Sequence, residues 1–214
     1  MLQVRALPDR IYEVLREQIV TGDLSGDTAV RQDALASTLG VSKIPLREAL
    51  TRLHQDGLVT RIPNRGWFVA PLSLAEAEEI YALRLSLEPA AAARACAHAT
   101  ADSRAAVESA YAALMADDDP GLAAVARRNR EFHLALVSDA ATPLTVQLLE
   151  RLSLLAERYV LQHLRPEGRS DRARREHTAL QDAWLAGAAD AVAELLQAHI
   201  AQTREDLCRQ LARD

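Results

Sequence analysis

Two rhythms of apolar and polar residues divide the chain. Up to Pro71 the apolar positions come in short bursts broken by glycine, proline and polar turns; beyond it they recur at helical spacing almost to the C-terminus. "DRIYEVLREQIV" sets Ile11, Val14, Leu15 and Ile19 on one helical face, and the two glycines of "TGDLSGD" end the helix. "RQDALASTLG" predicts a second helix, with Leu35, Ala36 and Leu39 inward and Gly40 as its stop. "VSKIPLREALTRLHQDGLV" predicts a third, capped by Ser42, tolerant of Pro45 in its first turn, buried through Leu46, Ala49, Leu50 and Leu53 and ended by Gly57. The period then shortens to two: "LVTRI", a "PNRG" turn and "WFVA" read as a β-hairpin.

Past Pro71, Ser73 and Glu76 make a capping-box signature, and six helices are expected at about 74–98, 102–116, 120–139, 143–164, 171–186 and 189–212. Asp119 with Pro120, Thr142 with Pro143 and Ser170 with Asp171 mark three of the starts. No fixed repeat length runs through these segments, so a bundle is expected and not a solenoid. The expected fold is mainly α. Residues 1–71 form a winged helix-turn-helix with a small hairpin wing, and residues 72–214 an all-helical bundle of about six helices.

Charge sharpens the division. The net charge of −5 argues against a nucleic-acid binder until it is split. Residues 1–71 hold nine Lys/Arg against eight Asp/Glu, whereas residues 72–214 hold sixteen against twenty-two. Residues 42–66 carry five cations (Lys43, Arg47, Arg52, Arg61, Arg65) and two anions (Glu48, Asp56), a local basic patch of the kind that faces phosphates. With 49% hydrophobic and 26% charged residues, the chain has material for globular cores and does not read as disordered. No segment approaches the roughly 18 consecutive apolar residues of a membrane span, and "MLQVRALPDR" lacks a signal peptide's apolar run, so a cytoplasmic protein without membrane contact is expected. Cys96 and Cys208 stand far apart without CxxC spacing and read as inert thiols.

The third helix turns Lys43, Arg47, Thr51 and His54 to its polar face, with its cations toward the N-terminal end that enters a major groove. Arg65 and Gly66 sit at the tip of the hairpin, where a wing meets phosphates or the minor groove. In the bundle, "NREFH" breaks the apolar pattern. Its helix runs Leu122, Val125, Ala126, Asn129, Phe132, His133, Leu136 and Val137 on the inward side, so an amide and an imidazole occupy core positions four residues apart. Burying either without a partner costs about 1–3 kcal/mol. His177 shares a face with Ala173, Leu180 and Trp184, and His199 with Val192, Leu195, Leu196 and Leu207. Three inward histidines on three helices can converge on one transition-metal ion. Taken singly, each reads more readily as a core histidine bonded to a neighbour, whereas the three together with Asn129 favour a metal; His163 is a rival at a helix end. None of the inward stripes presents an Asp or Glu placed as a general base, which weighs against a metal-dependent enzyme acting on a carboxylate.

"GVSKIPLREALTRLHQDGLV" followed by "PNRGWFV", with "IVTGDLSGD" and "LASTLG" before them, closely resembles the DNA-binding region of GntR-family transcriptional regulators. "LRLSLEPAAAARA", "NREFHLALV", "REHTAL" and "AHI" resemble successive signatures of the all-helical FCD ligand-binding domain of the FadR subfamily. The resemblance implies DNA contacts from Ser42, Lys43, Arg47, Arg65 and Gly66. It also implies a divalent metal, zinc or nickel, on Asn129, His133, His177 and His199. A small organic-acid effector would bind at open metal positions near Arg84, and a homodimer would bind a palindromic operator, most simply as a repressor. Lys43 stands where arginine is usual, Gln32 and Asp33 where the second helix often carries Glu and a variable residue, and Asn129 where Asp is the charged alternative. A metal that is only structural, or is itself the signal, is an alternative within the same fold.

Overall fold

The computed structural model describes residues 6–116, 121–140, 142–164 and 169–212. Asp119 and Pro120, and the side chains of Leu122 and His163, lie outside the described residues. The chain divides into two units, Met1–Leu72 and Ser73–Asp214.

In the first unit, α1 (Leu7–Thr21), α2 (Gln32–Leu39) and α3 (Lys43–Gln55) precede strands β2 (Val59–Ile62) and β3 (Gly66–Val69). Leu15 and Ile19 of α1 meet Leu46, Ala49, Leu50 and Leu53 of α3 in a core closed by Leu58 and Val69. This is the stripe that the 3.6-residue spacing predicts. The hairpin gains a strand that the periodicity does not show: β1 (Ala29–Val30) pairs with β3, giving the antiparallel order β1-β3-β2 with Ala29 opposite Phe68 and Val30 opposite Trp67. Two residues are too few to display a period of two. Ser42 occupies the N-cap of α3 in extended geometry, but its hydroxyl makes no capping bond and is exposed, unlike the cap expected of it. The far end of α3 is tied to α1 instead. The Tyr12 hydroxyl donates to Asp56 at 2.7 Å, and Arg52 lies over the Tyr12 ring while pairing with Asp9.

The second unit contains α4 (Leu74–Ala97), α5 (Ala101–Met115), α6 (Leu122–Val137), α7 (Pro143–Leu164), α8 (Arg169–Leu185) and α9 (Ala189–Leu211). Helix α4 is the central element, packed most extensively along α9 and also on α6 and α7. Its buried Ala91, Ala92 and Ala95 present short side chains that let a neighbouring helix come close. The Ser73–Glu76 box at its start is only half formed. Ser73 Oγ accepts the Glu76 N–H at 3.1 Å, but the Ser73 N–H goes to the Tyr159 hydroxyl at 3.2 Å, and that hydroxyl donates to Glu76 at 2.6 Å. A tyrosine from α7 thus takes the bond that the glutamate carboxylate makes in a local box. A reciprocal box that was not expected does form at α5, between Thr100 and Ser103.

Trp184 is fully buried, and its indole N–H donates to the Leu136 carbonyl at 3.1 Å. Leu136 lies in the last turn of α6, where carbonyls lack partners within the helix. Trp184→Phe keeps most of the apolar volume but leaves that carbonyl unpaired. The bundle's urea transition, followed by circular dichroism, is expected to weaken by about 1–3 kcal/mol; an unchanged midpoint would remove the indole from this capping role.

Candidate functional site

Three helices deliver the inward histidines to one cavity. His133 comes from α6, His177 from α8 and His199 from α9, and their candidate ligand atoms all lie within 4.8 Å of one another. The three rings pack at centroid separations of 4.8 to 5.5 Å. His133 and His177 are 2% and 3% exposed, and His199 is 9% exposed. Asn129, one turn before His133, lines the same cavity and is half-buried. Tyr81 and Arg84 of α4 close another side.

The hydrogen bonds around the histidines orient them. His133 Nδ1 lies 2.8 Å from Glu88 Oε1, and His199 Nδ1 lies 2.6 Å from Glu176 Oε2. Neutral imidazoles donating Nδ1–H to these carboxylates keep Nε2 as an acceptor, which is the tautomer a metal requires. His177 Nε2 is buried with no hydrogen-bond partner among the described residues. An orphaned imidazole nitrogen beside two pre-oriented ones is the donor set that fits a divalent transition metal.

Glu88 was not expected. It is 1% exposed, and its carboxylate receives Arg84 Nε at 2.8 Å and Arg84 Nη2 at 3.1 Å. Burial raises its pKa, but the Arg84 charge and the His133 bond outweigh this and hold it well below the usual carboxylate range. Burial in turn pushes His133 down to about 4 despite the opposing pull of Glu88, and drives His177 well below its ordinary value. Both are therefore uncharged and metal-competent near neutral pH. A buried acid on the α4 stripe thus reaches the histidines unforeseen, but its carboxylate is bound to Arg84 and His133. The signal was available: Tyr81, Arg84 and Glu88 fall at helical spacing on α4. Glu176, beside His177 in sequence, reaches across to α9, and no pattern along its own helix foretells that. Arg84, which the resemblance places against an effector, does line the cavity, but its guanidinium is buried and spent on Glu88.

In the first unit, Ser42, Lys43 and Arg47 are all exposed on the N-terminal half of α3. Lys43 forms an ion pair with Asp33 of α2, so the two departures noted in the sequence meet in space. Ile44 is 72% exposed between them. His54 is exposed like Lys43, Arg47 and Thr51, but its Nδ1 lies 2.9 Å from the Val59 carbonyl and its ring packs edge-on against Trp67. At the wing tip the Arg65 guanidinium sits 5.4 Å from the Phe68 ring. Gly66 adopts φ 95°, and no atom lies within 4 Å of where a Cβ would stand, so the left-handed backbone and not crowding calls for glycine.

Comparison with known proteins places both units. The gntR family of bacterial regulatory proteins matches residues 7–69, and the FCD domain matches residues 79–202. The HTH-type transcriptional regulator BphR of Paraburkholderia xenovorans is 33% identical over 207 residues, covering 92% of this chain and 83% of that protein. The HTH-type transcriptional repressor GlaR of Escherichia coli is 29% identical over 207 residues, covering 88% and 90%. Among solved structures, Escherichia coli McbR/YncC superposes with a TM-score of 0.79 over 96% of this chain and 98% of that one, at 22% identity, a likeness of fold. These relatives are regulators and leave the enzyme reading without support. The chain belongs to the GntR family, with an FCD domain C-terminal to its winged helix-turn-helix, and is a DNA-binding transcriptional regulator.

Proposed function

We propose that the chain is a ligand-responsive repressor whose FCD domain holds a divalent metal, zinc or nickel, on His133, His177 and His199 with Asn129, and senses a small organic acid there. The observation that carries this reading is the unpartnered, buried Nε2 of His177 facing two histidines whose Nδ1 atoms are each engaged by a carboxylate. When bound, the metal would supply open coordination positions for a carboxylate. Glu88 and Glu176 fix the tautomers and ring orientations, and Arg84 keeps Glu88 ionised in its buried position. Arg84 is thereby assigned a positioning role beside the effector role that the resemblance implies.

At the other end, Lys43 and Arg47 read guanine acceptors from the N-terminal half of α3, Ser42 contacts a phosphate, and Arg65 with Gly66 anchors the wing. Members of this family are typically dimeric, and a homodimer on a palindrome needs its two recognition helices about 34 Å apart. Linkage then defines the switch: an effector that favours a different spacing of the heads weakens operator binding by the same factor that operator weakens effector binding.

Elemental mass spectrometry of the purified chain is expected to find near one metal per chain, and His177→Ala to lose it. Absence of metal under every loading condition would return Asn129 and the histidines to a polar core network. For the DNA face, a duplex selected from a random library by the wild-type protein serves as operator. Arg47→Ala is expected to weaken its binding about ten- to hundredfold. Arg65→Ala should instead flatten the salt dependence by about one unit of log-log slope. Wild-type affinity and salt slope in both variants would place the DNA contacts elsewhere.

A further inference from the structure

The partly open cavity lined by the three histidines with Asn129, Tyr81 and Arg84 has only about 20 Å3 of water-accessible room, little space for the body of an organic acid. On Asn129, Ala173 and His177 a second cavity begins, of about 130 Å3, bounded by Leu114, Met115, Val125, Arg128, Ser170 and Arg174. The three shared residues belong to both linings. Ala173 presents the smallest side chain of this common wall.

We infer that the second cavity is the compartment for the body of the effector, and that the effector is a short dicarboxylate of about four to six carbons. This rests on the metal and acid reading proposed above and specifies its ligand. Three observations carry it. An enclosed apolar cavity of about 150 Å3 takes a molecule the size of benzene, and the second cavity, partly open to solvent, has room of that order for a short carbon chain. Leu114, Met115 and Val125 offer that chain an apolar wall, while Arg174 brings a cation whose hydrogen bond among the described residues is a long one, Nη2 to the Met115 carbonyl at 3.4 Å. The third is charge. Arg84 is matched by Glu88, and imidazole and amide ligands are neutral, so a divalent ion on this donor set would have no anionic ligand of its own and would favour an acid at its open positions. One carboxylate sits at the ion beside Asn129 and His177. The chain passes Ala173, and the second carboxylate meets Arg174.

Titration calorimetry on the zinc-loaded full-length chain tests this, with dicarboxylates of about four to six carbons and monocarboxylates of equal length as probes. Metal content is measured in parallel on wild type, Arg174→Gln and Ala173→Val. Wild type is expected to prefer the dicarboxylate about tenfold or more. Arg174→Gln should abolish the preference at unchanged metal content, and Ala173→Val should weaken dicarboxylate binding by narrowing the passage. Equal affinity for both acid classes, or a preference that survives Arg174→Gln, overturns the inference while leaving an acid at the metal. A metal-loaded chain that binds no acid of either class overturns the acid-effector reading itself.

Discussion

Glu88 holds a negative charge at the centre of a helical bundle, where water cannot stabilise it, and its ionisation depends on Arg84 one turn away. Removing one partner of such a buried pair typically costs about 3–5 kcal/mol, because the other is left charged and unsolvated. The arrangement is therefore all or nothing: Arg84 ionises Glu88, Glu88 fixes the proton of His133 on Nδ1, and Nε2 is left as the nitrogen that His133 can offer to the cluster with His177 and His199. His199 is held by a more exposed carboxylate, Glu176, near Arg172, whose Nη2 donates to Asp206. The buried polar arrangement around His133 thus starts from the Arg84–Glu88 pair.

Packing makes this expense tolerable. Helix α4 carries both Arg84 and Glu88 and also the alanine-rich stretch through Ala95. Trp184 fills the interior where Leu136 ends α6, and Tyr159 fastens the start of α4. Each of these aromatic residues uses its polar atom to satisfy a helix end, so the same side chains supply volume and close hydrogen-bond accounts.

Much of this was legible along the chain. The winged helix-turn-helix followed from short helical stripes and a change to period two, and the inward placement of His133, His177 and His199 followed from helical spacing. Strand β1 escaped because two residues carry no rhythm. Glu88 escaped for a different reason. A glutamate on a helix is normally read as solvent-facing, and only the cost of an unpaired Arg84 on the same face argues otherwise. The pairing of Lys43 with Asp33, and the substitution of Tyr159 for half of a capping box, join residues remote in sequence, and no local pattern encodes them.

The donor set has an implication for how such a protein sits in a cell. Three imidazoles and an amide have little power to choose among first-row ions, whose affinities for nitrogen ligands rise along a common series to copper and then fall at zinc. Discrimination would then come from geometry and, above all, from which ion the surrounding pool makes available. If the proposed site holds its metal, a regulator built on such uncharged ligands would be tied to the metal economy around it, and its threshold for an acid would move with the supply of the ion that receives it.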